Sequence, residues 1–549
     1  QQRTHKRNRH CHVTIQIVLS SYFSMNPSRQ NYAKRFTMDG ICIKPTEFGK
    51  VNLDEVIAMM TASLKENLAY FNQQFDGSAD FIVRKFQITG TDAALLTLEG
   101  LVNKQVIVQG IMNPILHATI LEQDPVKKFE YIRDNTLATV DQAEVDTYDA
   151  AIQKLMNGFA LIAIDGCIRM MAFSVQGFSF RGISEPQNEM TQRGSREGFV
   201  EPFLINMSMI RRRMHTPKLK FEIFTVGKES KTNICVCYLR DTVSPEVLSR
   251  VKKRIKDLQL NTVLAAGYVS PQIVRKHSHF IFSGVGLSER PDTVCGKINE
   301  GRVAIIIDGT PNVLIVPHLF IENFQSFDDY AFRPFYATFT RWLKFFAFFL
   351  AVFLPGFYVS ATTFHPELLP EELMLKIAQA EATTPFPVML EAIVIHFLYE
   401  IMREAGLRVP QPLSNAVSIV GALVIGETAV SSGLVGAPTL MVIALTATAS
   451  YVTPTLYGPV TIMRFIFIVV GGTLGFWGLA LCLMVMLVNI CAEMVYQIPF
   501  SAPLSPFKLH SMRDVLVRAS WKILSKNIEM VQNMPGSEIK NPDQKGKQV

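Results

Sequence analysis

Charge is what this chain has little of: Asp, Glu, Lys and Arg together make up 18% of its 549 residues, against 48% hydrophobic residues. With a mean hydropathy of +0.20 and no repeat or collagen-like bias to account for it, a membrane protein becomes the first hypothesis. Cysteine is also sparse. The eight cysteines are scattered without metal spacing, and Cys235 and Cys237 in "TNICVCYL" share one face of an expected strand, as core residues rather than ligands. No metal site and no cofactor is expected. The phosphate-binding G-x-x-x-x-G-K-[ST], the zinc-binding H-E-x-x-H and the nucleophile elbow G-x-S-x-G are all missing. An enzyme therefore has little support. "GSREG" (194–198) and "IRRRM" (210–214) offer glycines and cations to an anion, although a solvated interdomain loop and a solvated helix face are the favoured readings.

Acids are nearly absent from the first 40 residues, where Arg3, Lys6, Arg7, Arg9, Arg29, Lys34 and Arg35 face the single Asp39. This tail accounts for most of the net charge of +7 and the pI near 8.9, so no nucleic-acid partner is expected. Residues 1–45 are read as a basic, disordered extension that can touch anionic lipid. Met25 and Met38 are both plausible starts. The run "HVTIQIVLSS" lacks a small-x-small cleavage site, and secretion is rejected.

Residues 46–335 mix helix and strand signals at ordinary charge density, giving an α/β or α+β region. Val247, Leu248, Val251, Ile255 and Leu258 recur at helical spacing in 244–260, and 231–239 alternates like a strand. "GFALIAIDGC" (158–167) and "GRVAIIIDGT" (301–310) align without a gap, each an apolar strand closed by an Asp-Gly turn. Two related subdomains are expected, 46–205 and 206–335. Asp165, Gly166, Asp308 and Gly309 either cap their own turns, the favoured reading, or form a paired ligand site between the lobes.

From 336 to 495 the composition changes to an α-helical, polytopic membrane domain of four or five spans. A helix needs about 20 apolar residues to cross hydrocarbon. Segments near 342–364, 415–433, 437–453 and 465–491 qualify, and 385–406 is uncertain, since Glu391, His396, Glu400, Arg403 and Glu404 interrupt it. Basic residues at Arg341 and Lys344 put the soluble region in the cytoplasm. If 385–406 crosses, Arg403, Arg408 and Arg464 fall inside, but the basic residues from Lys508 fall outside, against the rule. Residues 496–549 are expected to be a polar tail.

Ser414, Ser418, Gly421, Ile425, Thr428 and Ser432 recur at steps of three and four, forming one small, partly polar helix stripe. Such a stripe either lets helices pack closely or, in a ring of identical subunits, lines an aqueous path with Ile425 as a dry constriction. Glu427 beside it adds negative potential. With Glu391 and Glu400 it is one of three carboxylates in the apolar half, each of which needs a partner, a cavity or the interface. Gly471, Gly475 and Gly478 read as packing notches.

The stretches "RGSREGFVE" (193–201), "RRRMHTPKLKFE", "ERPDTVCGKINEGRVAIIIDGTPNVLIVP" (289–317), "LPGFYVSATTFHPELLP" (354–370), "PFPVMLEAIV" and "AVSIVGALVIGETAV" resemble, in this order, the A subunit of bacterial spore germinant receptors of the GerA type. The resemblance covers roughly residues 75–507. It implies a nutrient sensor of the spore inner membrane that works with a transporter-like B subunit and a lipoprotein C subunit. It also implies a homo-oligomer embedded in lipid that passes monovalent cations once a nutrient binds, with the nutrient pocket mainly in the B subunit. In that picture "YAFRPFYATFTRW" (330–342) transmits movement of the soluble region to the helix bearing Ile425. A non-conducting scaffold and a secondary transporter are the rival readings.

Overall fold

Apolar runs closed by Asp-Gly become the central strands of two five-stranded antiparallel sheets in the computed structural model. It describes residues 59–539 except 119, 121, 137–140, 178–184, 187, 275–280, 409–425 and 527–528. The first lobe runs α1 (Leu64–Gln74), β1 (Phe81–Ile88), β2 (Thr91–Leu98), β3 (Gln142–Val145), α2 (Tyr148–Met156), β4 (Phe159–Ile164) and β5 (Met170–Ser174), in sheet order β1-β2-β4-β5-β3. The second runs α3 (Phe203–Arg213), β6 (Leu219–Val226), β7 (Thr232–Leu239), α4 (Pro245–Lys256), α5 (Ala266–Val274), β8 (Gly286–Ser288), α6 (Pro291–Asn299), β9 (Val303–Ile307) and β10 (Val313–Val316). Its sheet order is β6-β7-β9-β10-β8. The two orders are the same once numbered from each lobe's start. β4 and β9 are buried along their whole length because side chains pack on both faces of each sheet, which is why they read as unbroken apolar runs.

The helical region follows as α7 (Pro334–Phe364), α8 (Glu371–Glu381), α9 (Val388–Arg408), α10 (Gly426–Ser431), α11 (Ala437–Tyr451) and α12 (Tyr457–Ala492). Among the described residues, two helical stretches, Pro334–Phe364 and Pro454–Ala492, are long and apolar enough to cross a membrane, and Ala437–Tyr451 is a shorter apolar helix.

α12 is two helices, not one. Its first arm runs alongside α7 in the same direction: the Arg464 side chain meets the Ala351 carbonyl, the Phe353 and Phe467 rings lie 6.0 Å apart, and Gly475 faces Phe364. At Gly475 the backbone turns to φ 64 and ψ −152, a conformation open to glycine. The second arm then comes back, placing Leu479 against both Gly356 and Gly471. The single span expected over 465–491 is therefore an antiparallel pair. Hydropathy reports length and not direction, so one glycine among four is a weak signal for a reversal.

The returning arm delivers the chain to the second lobe. Tyr496 donates to the Ile273 carbonyl at 2.6 Å, the Phe320 amide donates to the Phe500 carbonyl at 2.9 Å, and the Val531 amide donates to the Glu300 carbonyl at 2.9 Å. Of the residues expected as a polar tail, Tyr496, Ile498, Phe500, Ala502, Val531 and Ile539 are thus packed into the core of the lobe.

Candidate functional site

The internal echo resolves into equivalent turns. Asp165 accepts the Leu64 amide at 2.9 Å and Asp308 accepts the Phe203 amide at 3.2 Å, so each carboxylate holds the start of its lobe's first helix. Gly166 and Gly309 take φ of 88 and 85 and donate to Ala62 and Glu201. The cations of "IRRRM" are engaged by the chain's own acids. Arg211, 1% exposed, binds Asp80 of the first lobe through Nε at 2.8 Å and Nη2 at 2.9 Å, and Glu197 takes Arg212 at 2.6 Å and Arg213 at 2.5 Å. Arg211 is thereby a buried lobe-to-lobe link and not part of a solvated helix face. Beside it Lys220 is fully buried and donates to the Gln74 carbonyl. Burial, with Arg240 and Arg211 near, pushes its amine down to about 8.

Where the second lobe meets α7, rings and charges interlock. Phe324 stacks on Phe345 at 4.2 Å and meets Phe348 edge-on. Arg341, with no exposed surface, holds Asp329 at 3.0 Å and Asp514 at 2.9 Å, and Tyr330 donates to Asp514 at 2.8 Å. Burial and then the Asp514 carboxylate raise the Tyr330 hydroxyl well above its ordinary range. This junction ties the lobe, α7 and the returning C-terminal segment together, with Arg341 as the shared cation. The expected transmission segment 330–342 runs through it.

Deeper in the helical region a second polar network joins four helices. Glu400 on α9 accepts from Arg403 at 3.0 Å, from Tyr457 at 2.8 Å and from Thr461 at 3.3 Å. Arg464 of α12, also without exposed surface, donates to the Ala351 carbonyl of α7 at 3.0 Å and to the Ser450 hydroxyl of α11, and lies 3.8 Å from Glu400. His396, one turn before Glu400, is fully buried with neither ring nitrogen hydrogen-bonded. Glu391, 1% exposed, accepts the Gly436 amide at the start of α11, while its second oxygen has no hydrogen-bond partner. Burial and then Glu391 raise the Glu381 carboxyl above its ordinary value. Among the described residues no cluster of three or more His, Cys, Asp or Glu is placed to hold a metal.

Of the small-residue stripe, Ser414, Ser418, Gly421 and Ile425 lie outside the described residues, while Thr428 and Ser432 lie within them, as does Glu427. All three are exposed on the single chain. Glu391 and Glu400 come within one helix-packed region, and Glu427 stands apart from it at the exposed end of α10. Arg464 enters the sequence reading only as a loop charge. Its isolation at the head of a long apolar run was the available signal for an internal partner.

The family model for the Bacillus/Clostridium GerA spore germination protein matches residues 69–530. The chain is 36% identical to spore germination protein KA of Bacillus subtilis, over 86% of this chain and 87% of that one. It is 33% identical to the membrane protein YfkQ of the same organism, over 89% and 93%, and 29% identical to its spore germination protein A1, over 88% and 97%. Among solved structures, the N-terminal domain of the A subunit of the Bacillus megaterium spore germinant receptor GerK3 is 27% identical, covering 48% of this chain and 97% of that one, with a TM-score of 0.38.

Proposed function

The chain belongs to the GerA family of spore germination proteins, the A-type subunits of germinant receptors, and from this premise we propose that copies of it assemble in the spore inner membrane into a nutrient-gated path for monovalent cations. Transporter-like B and lipoprotein C subunits are the proposed partners, with the nutrient signal arriving mainly through B. The lobes face the cytoplasm. α7, α9, the 415–433 segment, α11 and the two arms of α12 cross in turn, six passages in all, with α9 and α11 running the same way: Glu391 sits by Gly436 near their starts, Tyr399 by Tyr451 further on. In this arrangement the C-terminal segment ends on the cytoplasmic side, where the positive-inside rule wants its basic residues.

One observation favours a water-lining stripe over a packing notch: Glu427, Thr428 and Ser432 are exposed on the chain by itself, so among the described residues no helix uses that end for close packing. Sister copies would turn the stripe toward water, Ile425 closing it by dewetting and Glu427 favouring cations. Movement of the lobes reaches the helices through the Arg341 junction, which biases a two-state element. Ile425→Ser is expected to hold the path wet and make spores carrying it lose cations early. Spores that retain cations normally with Ile425→Ser in place would exclude this lining.

A further inference from the structure

Of its hydrophobic residues the stretch 505–526 buries only Met512 and Val515, against Ile321, and it is held at one fixed level of α7. Trp342 donates to the Leu516 carbonyl at 2.8 Å, the Arg518 amide donates to the Thr338 hydroxyl at 3.1 Å, and Asp514 is clamped by Arg341. These anchors fall one turn before the unbroken apolar run that starts at Phe345, the level at which a crossing helix meets headgroups. At that level the segment exposes Phe507 at 68%, Leu509 at 77%, Val517 at 52% and Trp521 at 58%. Alongside them on α7, Phe339 and Trp342 are exposed in the same band.

The exposed charge of the segment has one sign. Lys508, Arg513, Lys522 and Lys526 are exposed. Its one acid, Asp514, is engaged by Arg341 and Tyr330, and Glu529, just beyond the segment, accepts from the Ser511 hydroxyl. Exposed bulky apolar residues and uncompensated cations, pinned at headgroup level, match an interfacial segment that dips into a bilayer surface. We propose that residues 505–526 form a foot lying on the cytoplasmic leaflet, with Phe507, Leu509, Val517 and Trp521 in the acyl boundary and the lysines on anionic headgroups. Anionic lipid is thus a ligand of this chain, bound where Arg341 joins lobe to helix. The assignment rests on the membrane reading given above.

The test places an environment-sensitive fluorophore on Leu509→Cys, on Val517→Cys and, as a control within the apolar run, on Phe349→Cys, in the full chain in phosphatidylcholine vesicles with or without phosphatidylglycerol. All three side chains are exposed, so folding is not at issue. Signals are read against unsubstituted protein carried through the same labelling. The labels at 509 and 517 are expected to shift to the blue, to be quenched by a lipid-borne quencher, and to respond to phosphatidylglycerol in a way that Lys508→Glu with Lys522→Glu abolishes. Quenching at 349 but only aqueous quenching at 509 and 517 would overturn the foot and leave the spans intact. Shielding of 509 and 517 from both quenchers would overturn it in favour of a protein surface, a second copy or another subunit. Absence of lipid quenching at 349 as well would bring down the membrane reading with it.

Discussion

Arg464 has no exposed surface, and its charge is answered by a carbonyl on α7, a hydroxyl on α11 and, at 3.8 Å, the Glu400 carboxylate on α9. Removing one member of such a pair leaves a buried charge without compensation, a cost of about 3–5 kcal/mol. Glu400→Ala should show that loss in the unfolding of detergent-solubilised protein, while Glu400→Gln combined with Arg464→Met should recover most of it, because replacing both partners removes the stranded charge. A double variant as unstable as the single one would mean that Glu400 acts only through Tyr457, Thr461 and Arg403. In the soluble lobes, Lys220 titrates near 8 when folded against 10.5 when unfolded. The unfolded chain therefore holds the proton over that window, and stability should rise as pH climbs from about 8 to about 10.5. Lys220→Met should flatten this slope in melting curves taken across the same range. His396 and Glu400 were legible as polar residues one turn apart on an apolar helix. Arg464's role was not, because its partners sit on three other helices and none is near it in sequence.

At the scale of elements, the reversal at Gly475 sends the chain back toward the lobes, and in the proposed membrane arrangement it decides which side of the bilayer everything after it occupies. In the proposed arrangement the two arms of α12 put Trp477, 83% exposed just past the turn, on the far side and His510 on the side of the lobes. A membrane-impermeant thiol reagent applied to Trp477→Cys and His510→Cys should reach the two from opposite faces, and reaction of both from one face would contradict the hairpin. Gly475→Val should break the pair, since a β-branched residue does not take φ 64, and should expose position 510 on the wrong side in part of the population. The reversal was the least legible feature of the fold: 465–491 is apolar nearly throughout, and only a positive φ at one of its four glycines turns it back.

For the whole molecule, two copies of one lobe stand on a helical bundle, joined through Arg341 and the returning C-terminal segment. The duplication was legible because both Asp-Gly turns keep their residues, and both aspartates hold a helix start. The packed C-terminal segment was not, because hydrogen bonds to main-chain atoms of Ile273, Glu300 and Phe320 leave no trace in composition. Arg341→Met, which keeps length but removes the cation that Asp329 and Asp514 share, should weaken the response of the assembly to nutrient more than it weakens assembly itself. Nutrient-triggered germination and co-purification of the partner subunits, scored on the same strain, separate these two effects. The central claim, a cation path opened by nutrient, is tested most directly by potassium flux from liposomes carrying the purified receptor complex. Release is expected to begin on addition of nutrient and to become independent of it with Ile425→Ser; nutrient-saturated complexes that release nothing would contradict such a path.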